Sequence, residues 1–236
     1  MGRASRAKHE RRTTPGPQPT GPRRSGPPVF WIVLVVVVLA AVVAAVVTAG
    51  GEKESKADKA ADKQIYADVV VEGDELATSP SDNDAKDPSA GSKLPTIAGS
   101  NIAGKPLTIA PTGGATVLVV FAHWCPHCQR EVPRIVKHLD KDTLPAGVRV
   151  IGLSTAVKKG QPNFPPAKWL RTEKWPFPTL VDDEIGSAAL ALGVDSFPLL
   201  VFVDAKGQVE SRFSGEMEMD ELDRRIARIS DTTAAA

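Results

Sequence analysis

The sequence predicts an α/β domain, a mixed central sheet flanked by helices, preceded by a single transmembrane helix and a flexible linker. Three observations predict it. Residues 29–49 form an apolar run without a charged residue, the composition changes near Lys93 from polar and charged to apolar runs punctuated by turn signals, and strand-like and helix-like segments then alternate up to a final hairpin.

Residues 1–28 carry Arg3, Arg6, Lys8, Arg11, Arg12, Arg23 and Arg24 against the single acid Glu10, interleaved with Pro and Gly. Such a segment is too polar and proline-broken to pack a core, so it reads as a basic disordered tail. Arg11 and Arg12 do not make a twin-arginine export signal, because the apolar run begins far downstream. That run, VFWIVLVVVVLAAVVAAVVTA at 29–49, would rise about 1.5 Å per residue as a helix and span roughly 30 Å, the thickness of a bilayer core. Phe30 and Trp31 stand where interfacial aromatics are favoured. The basic flank before the run places the N-terminus in the cytoplasm and the rest outside, as a single-pass protein of the cell membrane. The VTA before Gly50 also fits a signal-peptide cleavage site, but the run is longer than a usual signal core, and the uncleaved anchor is preferred.

Residues 50–92 are rich in Ala, Asp, Glu, Lys and Ser and read as a solvated linker, with an end-to-end distance of about 35 to 40 Å as a flexible coil. The apolar island IYADVVV inside it is assigned either to a short local element or to packing on the domain. Residues 93–231 form the domain and 232–236 a disordered tail. ATVLVVFA at 115–122 is a valine-rich run suited to a strand buried on both faces. PHCQREVPRIVKHLD follows as a helix beginning near Cys125, with Val132, Ile135, Val136 and Leu139 on one face. GVRVIGLST reads as a strand, PPAKWLRTEKW as a helix, TLVD as a short strand and EIGSAALALG as a helix ended by Gly193. LLVFVD and QVESRF form a hairpin around AKG, and the last helix carries Leu222, Ile226 and Ile229.

The formal net charge of +1 gives no reason to expect a nucleic-acid partner. The chemistry lies in the only two cysteines, Cys125 and Cys128. A cross-link over two intervening residues removes little unfolded-state entropy, so a structural staple explains them poorly. At a helix start, unpaired amides and the positive end of the dipole stabilise a thiolate. Cys125 is then the attacking or attacked sulfur, and Cys128, a turn further on, the resolving one. Pro126 has no amide hydrogen to leave unsatisfied there, and His127 adds a donor beside the thiolate. A metal clasp of His123, Cys125, His127 and Cys128 lacks a second ligand pair, since His9 and His138 lie elsewhere, and no metal or other cofactor is expected. His123 reads as a surface residue beside the dithiol.

WCPHC and its setting resemble the active site of the thioredoxin superfamily. The apolar strand VLVVFAHW ends just before the motif, Pro133 stands where the family kinks its helix, and GVDSFPLLVFVDAKGQVESRFSG offers Phe197-Pro198 as a cis-proline loop. Pro178 competes for that role, but Pro198 directly precedes the long apolar strand. KLPTIAGSNIAGKPLTIAP and PFPTLVDDE look most like the membrane-tethered TlpA and ResA-like branch, with a DsbA-like CPHC dipeptide between the cysteines. The resemblance implies a thioredoxin fold and an enzyme, an extracytoplasmic thiol-disulfide oxidoreductase with Cys125 and Cys128 as its redox-active disulfide. It also implies Trp124 as a shield of the dithiol, protein thiols or disulfides as substrates, and a redox partner in or outside the membrane. One departure is Val119, where many relatives place a buried acid; Glu184 is a candidate replacement. The Pro-His dipeptide, closer to the chemistry, leans the reading toward an oxidase or isomerase; the alternative, to which the tether and framework point, is a reductase for cytochrome c maturation or other exported thiols.

Overall fold

A computed structural model describes residues 33–34, 36–38, 55–81, 83, 85–139 and 144–234. Met1–Lys53 and Glu54–Ala236 are separate units. In the first, Val33, Leu34 and Val36 to Val38 are helical and exposed. Among the described residues no helix is long and apolar enough to cross a membrane; most of the anchor expected at 29–49, and the whole tail 1–28, lie outside them.

The second unit is built around a five-stranded mixed sheet. Its strands are β4 (Thr116–Phe121), β5 (Arg149–Ser154), β6 (Thr179–Val181), β7 (Leu199–Val203) and β8 (Val209–Ser214), in the order β6-β5-β4-β7-β8. β4, β5 and β6 run parallel, while β7 is antiparallel to both β4 and β8. β4 is buried along its whole length. The two-residue period of a strand sends Val117, Val119 and Phe121 into one core and Leu118 and Val120 into another. On the first side lie the active-site helix α2 (Pro126–His138), α3 (Pro166–Thr172) and the closing helix α5 (Met219–Ala234), through Val132, Ile135, Trp169, Leu222, Ile226 and Ile229. On the second side lie α4 (Ser187–Ala191) and an antiparallel sheet of β1 (Val70–Glu72), β2 (Thr96–Ser100) and β3 (Pro106–Ile109), through Ala188, Ile97 and Ile109.

The closing helix continues to Ala234, past the expected domain end at 231, and residues 235–236 lie outside the described residues. The described part of 50–92 is not a solvated linker. A short helix, α1 (Lys56–Ala61), starts on a Ser55–Asp58 capping box, and the apolar island supplies β1, which pairs Val71 with Ile97. The amides of Leu76 and Ser79 donate to the carbonyls of Ala191 and Gly193, at 2.9 and 2.7 Å. Gly193, at φ 63°, is needed for that approach, because a Cβ there would collide with the Ala77 carbonyl.

The strongest tie is electrostatic. Arg212 on β8 has no exposed side-chain surface, and Asp87 receives two of its N–H groups, Nε at 3.0 Å and Nη2 at 2.6 Å. The other donors reach Ala77 O, Leu192 O and Ser89 Oγ. Composition made this segment look solvated, but a guanidinium buried on the sheet requires a counter-charge and further acceptors, and Asp87, Ala77 and Ser89 supply all of them except the Leu192 carbonyl.

Candidate active site

β4 delivers the chain to the dithiol. After Phe121 it turns through Ala122 to Trp124, and the Cys125 amide donates to the Ala122 carbonyl at 3.0 Å. Cys125 is the N-cap of α2 in an extended conformation, with no side-chain capping bond, and Pro126 opens the helix. Its sulfur therefore sits where helical amides lack partners. Cys125 is 7% exposed and Cys128 fully buried, and both are free thiols. Cys125 Sγ donates weakly to the Phe197 carbonyl at 3.6 Å, next to the cis Phe197–Pro198 peptide. The other cis bond among the described residues is Phe164–Pro165; Pro178 follows a trans bond. Burial pushes the Cys128 thiol strongly up, a backbone contact with Ala122 opposes it, and the neighbouring Cys125 and Glu131 raise it further.

Glu131 is the acid that sequence reasoning missed. It has no exposed surface, and its carboxylate accepts from the Met217 amide at 3.0 Å and from Arg134 Nη1 at 2.8 Å. Burial nonetheless raises its carboxyl above the ordinary range. The signal was present: Cys128, Glu131, Val132 and Ile135 follow the i, i+3, i+4, i+7 spacing of one buried stripe. Glu184, the sequence candidate, is exposed and lines a separate hollow with Lys63, Tyr66, Asp68 and Asp183. Val119, where relatives have an acid, is core.

His123 is also corrected. It is fully buried rather than on the surface, because the 155–165 loop folds over it and engages both ring nitrogens. Nδ1 meets the Pro162 carbonyl at 2.7 Å, and Nε2 accepts from the Lys158 amide at 3.1 Å. That pattern requires a neutral ring with its proton on Nδ1, and burial lowers its basicity accordingly. Trp124 braces the same loop: its Nε1–H donates to the Ala156 carbonyl at 2.6 Å, Lys158 Nζ lies 3.6 Å from its ring centroid, and its ring meets Phe197 edge-on. Dithiol, indole and Phe197–Pro198 loop thus share one face.

His127 lies on the exposed rim with Arg130. Both converge on Glu216, which follows β8: His127 Nδ1 is 2.7 Å and Arg130 Nη2 2.6 Å from Glu216 Oε1. Arg130 Nε donates to both carboxylate oxygens at 3.1 Å. Arg130 first and His127 second hold the Glu216 carboxyl down to about 2.

The Redoxin family profile matches residues 89–227. The chain belongs to the redoxin family. Within it, this redoxin is a thioredoxin-superfamily member of the DsbE and TlpA-like kind. It is 37% identical over 105 residues to the thiol:disulfide interchange protein DsbE of Haemophilus influenzae, a match covering 44% of the chain and 53% of that relative. The chain thus spans about half the length of that protein. The DsbE of Pseudomonas fluorescens biotype C is 32% identical over 143 residues, covering 58% of the chain and 73% of the relative. Two solved structures from Chlorobium tepidum share the redoxin's fold. One is a chain assigned as a DsbE protein, with TM-score 0.51 and 23% identity over 60% of this chain and 97% of that one. The other is a thioredoxin-family thiol:disulfide interchange protein, with TM-score 0.50 and 24% identity over 62% of this chain and 99% of that one.

Proposed function

We propose that this redoxin is a membrane-tethered, extracytoplasmic enzyme that exchanges disulfides with protein substrates through Cys125 and Cys128. The observation that carries the reading is the pairing of a nearly closed outer sulfur at a helix start, beneath the Phe197 carbonyl, with a sealed inner sulfur one turn on. In the reducing direction the Cys125 thiolate attacks a substrate disulfide and one substrate sulfur leaves as a thiolate. Cys128 gives up its proton, for which Glu131, one turn on and electrostatically coupled to it, is the proposed acceptor, and attacks the Cys125 sulfur of the mixed disulfide. The second substrate sulfur then leaves, and two electrons have passed from the Cys125–Cys128 dithiol to the substrate. Trp124 and Phe197 flank the entering cysteine, and a dithiol partner in or outside the membrane restores the reduced pair. The apolar 29–49 run is the proposed anchor.

The Pro-His dipeptide supports the oxidase or isomerase direction, because such sites stabilise a thiolate. The tether, the TlpA-like framework and a Glu216 carboxylate that occupies His127 and Arg130 support the reductant, with exported thiols such as those of apocytochrome c as substrates, and the reductant is the direction proposed. The test is the reduction potential of the full chain in glutathione buffers, read by tryptophan fluorescence. A value near about −270 mV fits the reductant and one near about −120 mV the oxidase. Absence of a reversible two-electron transition overturns disulfide exchange altogether.

A further inference from the structure

We infer that Glu216 is a positioning residue that sets the redox poise of the dithiol by holding His127 and Arg130 in a shared ion cluster at its rim. The inference rests on the proposed redox role of Cys125 and Cys128. Three groups from two parts of the chain meet there. His127 and Arg130 project from the first turns of α2, and Glu216 comes from the segment after β8, 86 residues beyond Arg130 in sequence. The bond set is dense for an exposed rim: Arg130 Nη2 and His127 Nδ1 both reach Oε1, and Arg130 Nε bridges both oxygens. Arg130 Nη2 and His127 Nδ1 also approach within 2.9 Å of each other. With the proton on Nδ1, that is a contact between two donors tied to one oxygen, which only the carboxylate charge between them makes tolerable.

The consequence follows from where charge develops. Exchange passes through a thiolate at Cys125, and Arg130, on the helix that Cys125 caps, interacts with charge at that sulfur. Cations at the rim stabilise that thiolate and so favour the reduced form, which makes the site a stronger oxidant. Glu216 places a fixed negative charge among those cations and offsets them. A Pro-His dithiol clamped in this way is a weaker oxidant than its dipeptide alone predicts. Other charged groups on the same elements do not substitute for it: Glu131 faces inward, and Arg134 is engaged with Glu131 and Glu218.

The full-length protein and its Glu216→Gln variant are equilibrated with reduced and oxidised glutathione. Glu216→Gln, isosteric at a partly exposed position, should shift the equilibrium constant about tenfold toward the reduced protein, about 30 mV more oxidising. Glu216→Asp, which keeps the charge, should stay nearer the wild type, and Arg130→Met should move in the opposite direction. Circular dichroism checks that each variant is folded, and a purely structural role would leave the potential in place. A reversible wild-type transition with Glu216→Gln within twofold of it overturns the role of Glu216 and leaves the dithiol function standing. A wild type with no two-electron transition removes both.

Discussion

Replacing Asp87 with alanine should cost this redoxin a large part of its stability, although Asp87 is remote in sequence from the dithiol. Arg212 has no exposed side-chain surface and donates five hydrogen bonds, two of them to the Asp87 carboxylate at 3.0 and 2.6 Å. Asp87→Ala leaves the remaining three and a buried charge without its partner. Removing one member of a buried pair costs about 3–5 kcal/mol, a substantial share of a typical total of about 5–15 kcal/mol. With a urea slope of about 2 kcal/mol per M, the unfolding midpoint should fall by about 2 M. Urea titration followed by tryptophan fluorescence reads it. The double replacement Asp87→Ala with Arg212→Leu should recover much of the loss, since no orphan charge remains. Arg212 holds the Asp87 carboxyl below its usual range despite burial. The pair's contribution is therefore present above the ordinary carboxylate value and lost as pH falls through the lowered one, where variant and wild type should converge. A midpoint shift under about 0.5 M at neutral pH would refute the reasoning.

Cys125→Ser should abolish insulin reduction and Cys128→Ser should accumulate mixed disulfides on non-reducing gels; full turnover by Cys125→Ser would sink the exchange mechanism. Glu131→Gln should slow release of the mixed disulfide by about 10²-fold in single-turnover kinetics. Because burial raises Glu131, the folded state favours its neutral form, so the wild type should lose stability relative to Glu131→Gln as pH rises from its usual 4.5 through the raised value. Parallel pH slopes for the two proteins would contradict that assignment. His123 titrates in the opposite sense: its lowered basicity means stability is lost as pH falls below the usual 6.5, and His123→Gln should flatten that slope, as measured by denaturation at pH 5 and 7.

The strands and helices of the second unit were legible wherever burial imposes a period. β4 reads as an unbroken apolar run because it has a core on each face, and Leu222, Ile226 and Ile229 mark the inner side of α5. The cysteines were legible from spacing and from the proline that follows Cys125. What stayed hidden depended on partners far away in sequence. Asp87 looks like a solvated acid until Arg212 is placed behind it, and His123 looks exposed until the 155–165 loop closes on both its nitrogens. Glu216 has no local signal, since its partners lie on another element. Glu131 was within reach, because its position on the Cys128 stripe required an inward side chain, but a stripe traced by its apolar residues passes over an acid.

The unequal burial of the two sulfurs imposes a sequence of events on the site. Peroxide reaches Cys125 first, and the sulfenic acid it would leave there has a thiol waiting one turn away to condense with it, releasing water and closing the disulfide before further oxidation. The inner sulfur never has to meet the outside at all. Cys128 needs no protection from over-oxidation beyond the packing that already surrounds it, and an accidental oxidant is converted into the ordinary disulfide form that the catalytic cycle can reduce again.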